Sequence, residues 1–274
     1  MSHFTVLVVG NDIEKILAPY QENCGDTKLP FDKFIDIEDA DRKEYETDFD
    51  SEGVAHIKRY SSFEKFESDW NGHERDSETG RYGYWQNPNA KWDWFSVGGR
   101  WEGVLLLKNG EIADQANFDD IDWDGMRQKN KNAAQIRYDL VHRHCPINDT
   151  TDFISWEKAK SENKNIDDAR KIYNGQKIIS CFDNLKNKIA PDIFEWDDSV
   201  ENYFISKEEY LQNAYNEPLT FAFADENGWQ ERGEMGWWAC VSNEKDSETA
   251  SKNFYNFLDS VKGNPLVSVV DCHI

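Results

Sequence analysis

The chain is short of positive charge, has no long apolar run and carries no paired cysteines. Only 31 lysines and arginines stand against 53 acidic residues, a formal net charge of −22 over 274 residues. Bare nucleic acid and anionic membranes are repelled by such a balance and are excluded as direct partners. No run approaches the ~20 apolar residues of a membrane-spanning helix, and the opening MSHFTVLVVGND lacks the basic flank and small-residue cleavage site of a signal peptide. A soluble, cytoplasmic protein is the expectation. The cysteines Cys24, Cys145, Cys181, Cys240 and Cys272 are odd in number and scattered, without a CxxC spacing, so free thiols are expected rather than a zinc or disulfide framework. No Gly/Ser/Pro-rich linker and no internal repeat divides the sequence, which therefore reads as a single α+β domain over 1–274 with a helical insertion at about 125–216. No catalytic motif is strong enough to name a reaction, and no cofactor or metal is expected.

What the chain has instead is aromatic residues in an unusual place. Seven of the twenty residues from Tyr82 to Trp101 are aromatic, in the run YGYWQNPNAKWDWFSVGGRW. Flat rings beside a glycine pair and a guanidinium are the parts of a site for a planar anion, because rings stack and arginine pairs with phosphate or carboxylate. Trp92, Trp94, Gly98, Gly99, Arg100 and Trp101 are the candidates here. Arg232, Gly233, Glu234, Met235, Gly236, Trp237 and Trp238 repeat the same ingredients. Two such segments, each on a hairpin, are expected to converge on one cleft for a nucleotide-like ligand. The plainer readings are a tryptophan-lined sheet packed under helices and a structural Arg232–Glu234 ion pair.

The acidic residues are clustered. Asp32 to Glu52 holds ten carboxylates against three cations, and Asp114 to Asp124 holds five against none. A solvated face is the ordinary meaning of such runs. The alternative is mimicry of nucleic acid by an inhibitor of a host defence or nucleic-acid-handling protein. A third possibility is a hydrolase or transferase using Asp271, His273 or Glu234 with the arginines. Asp271 and His273 are two apart in an expected strand and share a face, with Cys272 on the other. A carboxylate orients a neighbouring imidazole for acid–base work or metal binding. If the terminal strand pairs with the first, His3 comes near His273 and makes a metal site conceivable. His142, His144 and Cys145 offer ligand types without a second cluster, and Asp119, Asp120, Asp122 and Asp124 alternate like a cation loop but lack the EF-hand order.

Hydrophobic periodicity supplies the elements. Phe4 to Val9 reads as a buried strand, followed by a short helix near Asp12 to Leu17. Ser61 and Glu64 form a capping box ahead of Phe63, Phe66 and Trp70. Trp92 to Phe95 alternates as a strand, and Val104 to Leu107 meets the turn pair Asn109–Gly110, so a hairpin is expected to carry the aromatic motif. Helices are expected over 125–144 and, from an Asn165 cap, through Ile189 with a weak point at Gly175; a strand near Ile136 to Val141 is the alternative for the first. Ser206 with Glu209 opens another short helix, and Leu219 to Ala224 with Trp229 to Arg232 form a second hairpin about Glu226-Asn227-Gly228. The WWACVS segment, a helix capped by Ser247 and a strand from Leu266 to Cys272 read as a parallel crossover.

The opening MSHFTVLVVG with LAPYQEN, the block NPNAKWDWFSVGGRW, the string ADQANFDDIDWDGM, the segment RGEMGWW and the ending VVDCHI together resemble a family of uncharacterised proteins recurring in phage and prophage genomes. The resemblance spans nearly the whole chain. It implies a phage accessory role, often counter-defence, acting in the host cytoplasm, and implies no particular reaction, cofactor or catalytic residue.

Overall fold

The computed structural model describes residues 2–24, 28–148, 152–194, 198–236, 238 and 240–274. It is an α+β fold with a mixed sheet and several helices. The chain divides into two compact units, one made of 1–102, 220–244 and 265–274, the other of 103–219 and 245–264. The stretch 125–216, which the sequence marks as a helical insertion, falls within the second unit.

The first unit is organised by its two end strands. His3–Val9 lies at the centre, antiparallel to Leu266–His273 on one side and parallel to Ala222–Asp225 on the other. Gly228–Glu231 and Trp94–Val97 extend the sheet outward from these flanking strands. A strand with neighbours on both edges and buried residues on both faces needs apolar side chains at nearly every position. That is why Phe4 to Val9 reads as a continuous run rather than an alternation. One face carries Phe4, Val6, Val8, Val270, Cys272, Ala222 and Ala224, and packs with Ile16, Leu17 and Trp92. Each large apolar side chain so buried contributes roughly 1.5–3 kcal/mol.

Two expectations about connectivity are corrected. Trp94–Val97 is not half of a local hairpin but pairs with the terminal strand, His273 opposite Trp94. The Asn109–Gly110 turn instead joins the short strands Leu105–Leu106 and Ile112–Ala113. Nor does the C-terminal region make a parallel crossover. Val241–Ser242 pairs with Glu234–Met235, apart from the main sheet, and Leu266–His273 runs antiparallel to both of its neighbours named above. Pattern identifies strands, but long-range pairing is decided by which faces must be buried together.

Helix ends follow capping chemistry within a residue. Ser62 rather than Ser61 caps Phe63–Phe66, and Asp246 rather than Ser247 caps Ser247–Ser260, each accepting a backbone N–H of the first turn. Asp122 caps the 22-residue helix Trp123–His144, which excludes a strand at Ile136 to Val141. Beyond it, the periodic stretch from Asn165 breaks at Gly175 into Ile166–Asn174 and Lys177–Asn184. In the second unit Tyr138 and Val141 pack with Ile178, Ile179, Phe182, Leu185 and Tyr203. The Tyr203 hydroxyl donates to Asp198 Oδ2 (2.6 Å) and the Tyr138 hydroxyl to the Ile205 carbonyl (3.0 Å). No helix among the described residues is long and apolar enough to cross a membrane.

Trp92 is 5% exposed and its indole N–H donates to the Leu17 carbonyl at 3.1 Å, whereas Trp94 is 45% exposed. Trp92→Ala is therefore expected to cost about 3–5 kcal/mol, and Trp94→Ala under about 1 kcal/mol. Urea denaturation of the two variants measures this; equal losses would contradict the assignment of Trp92 to the core.

Candidate functional site

The face of the sheet opposite Phe4, Val6 and Cys272 carries polar groups where apolar ones would pack more simply. Register places His3 opposite His273 and Thr5 opposite Asp271, with Trp94 and Ser96 completing the two rows on the neighbouring strand. Buried polar side chains need partners, and each of these imidazoles has one. His3 Nδ1–H donates to Asp271 Oδ1 at 2.8 Å, and His273 Nδ1–H donates to Asp93 Oδ1 at 2.7 Å. The rings stand edge to face with centroids 4.9 Å apart. Trp94 lies stacked on His273, 5.1 Å between centroids at 16°, and meets His3 edge-on at 5.4 Å. Neither Nε2 atom has a hydrogen-bond partner among the described residues. A carboxylate on Nδ1 fixes the tautomer that leaves Nε2 as the proton-exchanging atom.

Asp271 is 2% exposed, so its second oxygen also needs a donor. The backbone N–H of Arg100 supplies it, 3.1 Å from Asp271 Oδ2. The donor reaches that position because the chain turns sharply at Gly98 and Gly99, both at positive φ, into the short 3₁₀ turn Gly99–Trp101. Gly99 is required twice over. It sits at φ +56°, and a Cβ there would stand 2.5 Å from Asp271 Cβ and 2.7 Å from Ser96 Oγ. Arg100 itself is exposed.

A third carboxylate borders this group. Glu22 is tied to the aromatic segment through its backbone N–H, which donates to the Trp92 carbonyl at 2.6 Å. Burial first, then the charge of Asp93, raises its carboxyl above the ordinary glutamate range. Burial does the same more strongly to the thiol of Cys272, on the opposite face, which keeps it an inert packing group.

The residues singled out from sequence are thus distributed unevenly. Trp94 lies against the histidine pair, Gly99 and the Arg100 N–H meet Asp271, and Gly98 and Trp101 bracket that turn, whereas Trp92 faces the core. Arg232 does not pair with Glu234: its Nε lies 2.8 Å from Glu244 Oε1, an ion contact, while Glu234 accepts from the Asn243 amide at 3.0 Å. The Glu234–Met235 segment meets the sheet on the core face, with Met235 against Phe4 and its neighbours and the Gly236 carbonyl accepting from Ser2 Oγ at 2.9 Å. Trp92, Phe95 and Met235 thus share the core face, while Trp94 lies on the histidine face. Trp237 lies outside the described residues, and Trp238 is exposed at positive φ.

The acidic run is also more internal than its composition implies. Asp32, Glu38, Asp41 and Asp50 are buried. Arg42 pairs with Glu38, Arg59 with Asp50 and Glu52, and Arg81 with Asp36 and Asp39. In the second run Asp122 caps a helix and Asp124 accepts from the Tyr215 hydroxyl at 2.5 Å. His142 is bonded through Nε2 to the Tyr203 carbonyl. Sequence reasoning placed Asp271 and His273 on one face and named His3 conditionally; it missed Asp93 and Glu22. The signal for Asp93 was present in its position between a core and a surface tryptophan. Glu22 carried none.

Compared with models of known protein families, with curated proteins and with solved structures, the chain gives no match.

Gly99→Ala is expected to cost about 1–3 kcal/mol by strain and overlap and to shift the NMR signals of the His3 ring as Asp271 is pushed away. An unchanged stability together with unchanged His3 signals would contradict the packed turn. For Glu22, the folded protein holds the proton more tightly than the unfolded chain, so this group's stabilising share is full below the ordinary glutamate range and is lost as pH rises through the raised value. Glu22→Gln is accordingly expected to raise Tm at pH 8 and leave it nearly unchanged at pH 4, as read by thermal melts.

Proposed function

We propose that the histidine face binds a planar, anionic, nucleotide-like ligand and that His3 and His273 act on it as a proton-transfer pair. The observation that carries this reading is the pair itself: two adjacent imidazoles, each with Nδ1 committed to its own carboxylate and Nε2 without a hydrogen-bond partner among the described residues. In such a pair one neutral ring takes the proton of an attacking water or hydroxyl while the other, protonated, gives a proton to the leaving oxygen. At phosphorus this forms one P–O bond and breaks another, while one proton passes from the attacking oxygen to the first imidazole and one from the second imidazole to the leaving oxygen. Trp94 offers a half-exposed ring for stacking and Arg100 a guanidinium for the phosphate. The resemblance to a phage-associated family directs the search for the ligand toward nucleotide signals of the infected cell, and so toward a counter-defence role.

This reading unites the pocket and the reaction that the sequence left as alternatives. Mimicry of nucleic acid receives less support, because four of the ten carboxylates of the acidic run, Asp32, Glu38, Asp41 and Asp50, are buried.

The test uses cyclic nucleotides and a nitrophenyl phosphodiester as probes, following turnover and tryptophan fluorescence. Wild type is expected to turn over at least one probe. His3→Gln and His273→Gln are each expected to lower the rate by about 10²–10⁴-fold while preserving fluorescence quenching, and Trp94→Ala to abolish the quenching. Binding without turnover would remove the acid–base assignment and keep the binding site; neither binding nor turnover would overturn the proposal.

A further inference from the structure

A second cluster in the first unit holds ligand-type side chains that the histidine face does not use. Asp41 comes from the helix Glu38–Thr47, Glu67 from the π-helical turn Glu67–Asn71, and His73 from the residue after the left-handed Gly72. The turn closes on itself: the Gly72 and His73 backbone N–H groups both donate to the Glu67 carbonyl, at 2.7 and 3.2 Å. Single π turns of this kind recur at functional sites because they re-aim one side chain out of helical register. Here the result is that His73 Nδ1 stands 3.0 Å from Asp41 Oδ2 and 3.2 Å from Glu67 Oε2. The three ligand atoms all lie within 4.8 Å of one another.

A proton alone serves this arrangement poorly. Glu67 is fully buried, and its second oxygen, Oε1, has no hydrogen-bond partner. Asn71 Nδ2, also buried, makes no hydrogen bond of normal geometry, though its amide stands near enough to favour the charged Glu67 carboxylate. No lysine or arginine among the described residues forms an ion pair with Asp41 or Glu67. Two buried carboxylates thus face a single imidazole, and an unpaired buried oxygen costs free energy. Burial first, and then Asp41, raises the Glu67 carboxyl, with His73 and the Asn71 amide opposing.

We propose that Asp41, Glu67 and His73 form a binding site for a first-row divalent cation, Zn²⁺ by preference. One imidazole nitrogen with two carboxylate oxygens is a donor set for Zn²⁺ or Mn²⁺ rather than for the harder Mg²⁺. The spacing fits as well. Ligands bound at roughly 2.0–2.1 Å in a tetrahedron stand about 3.3–3.4 Å apart, close to the two nitrogen–oxygen separations. The cation takes the place of the Nδ1 proton, the ring carries its proton on Nε2, and Tyr84, stacked on the ring at 5.6 Å, holds its plane. Three protein ligands leave a fourth position for Glu67 Oε1 or water.

The experiment is calorimetric titration of chelator-treated full-length protein with Zn²⁺ and with Mn²⁺, alongside the Co²⁺ visible spectrum. Near-stoichiometric Zn²⁺ binding with release of protons is expected, together with a Co²⁺ d–d band. Glu67→Gln and His73→Gln are each expected to weaken Zn²⁺ binding at least 10-fold, whereas His273→Gln leaves it unchanged. Circular dichroism establishes that the variants are folded, and the more exposed His73 provides the safer substitution. Absence of binding by the wild type, or equal binding by folded Glu67→Gln and His73→Gln, would overturn the site. Loss of binding in His273→Gln alone would assign the cation to the histidine face instead.

Discussion

The carboxylate of Asp271 ties together the parts of the chain that are farthest apart. Through one oxygen it holds the imidazole of His3, at the start of the first strand; through the other it holds the Arg100 N–H, in the turn that ends the aromatic segment. Its own strand lies between those two elements and pairs with both. A carboxylate buried this deeply is stabilised by donors on both oxygens, and for Asp271 these come from the histidine at residue 3 and the glycine turn at 98–99. The polar requirement of one buried group thereby becomes a constraint on three stretches of sequence.

The same constraint explains why polar residues occupy a sheet that would pack more tightly without them. Thr5, Ser268, Asp271 and His273 are buried in strands otherwise built mostly of valine and leucine. Replacing a satisfied buried polar network with apolar groups is often neutral or stabilising, so stability alone does not account for the choice. What these residues supply is orientation: two rings held by two carboxylates at a fixed separation, with a tryptophan stacked on one of them.

Legibility in the sequence followed the range of the interaction. The strand at Phe4 to Val9, the helix over 123–144 and the turn at Asn109–Gly110 were readable because burial, capping and positive-φ turns leave local patterns. The face shared by Asp271 and His273 was readable for the same reason, as a period of two. The partner of Trp94–Val97 was not, since strand pairing across more than 170 residues has no local signature. For that reason the aromatic run was expected on a hairpin of its own. Trp92 and Trp94 look equivalent in sequence, and only the sheet's two faces separate a core side chain from one beside the imidazoles.

Composition misled most where it was averaged. Ten carboxylates in twenty-one residues suggest a charged surface, yet the helix Glu38–Thr47 turns Glu38 and Asp41 inward. There Glu38 binds Arg42 and the Tyr82 backbone N–H, while Asp41 meets His73. Net charge counts residues without regard to where a helix directs them. An acidic run interrupted by Arg42 and followed by Arg59 and Arg81 pairs part of its charge within the protein, while Glu46 and Asp48 stay exposed.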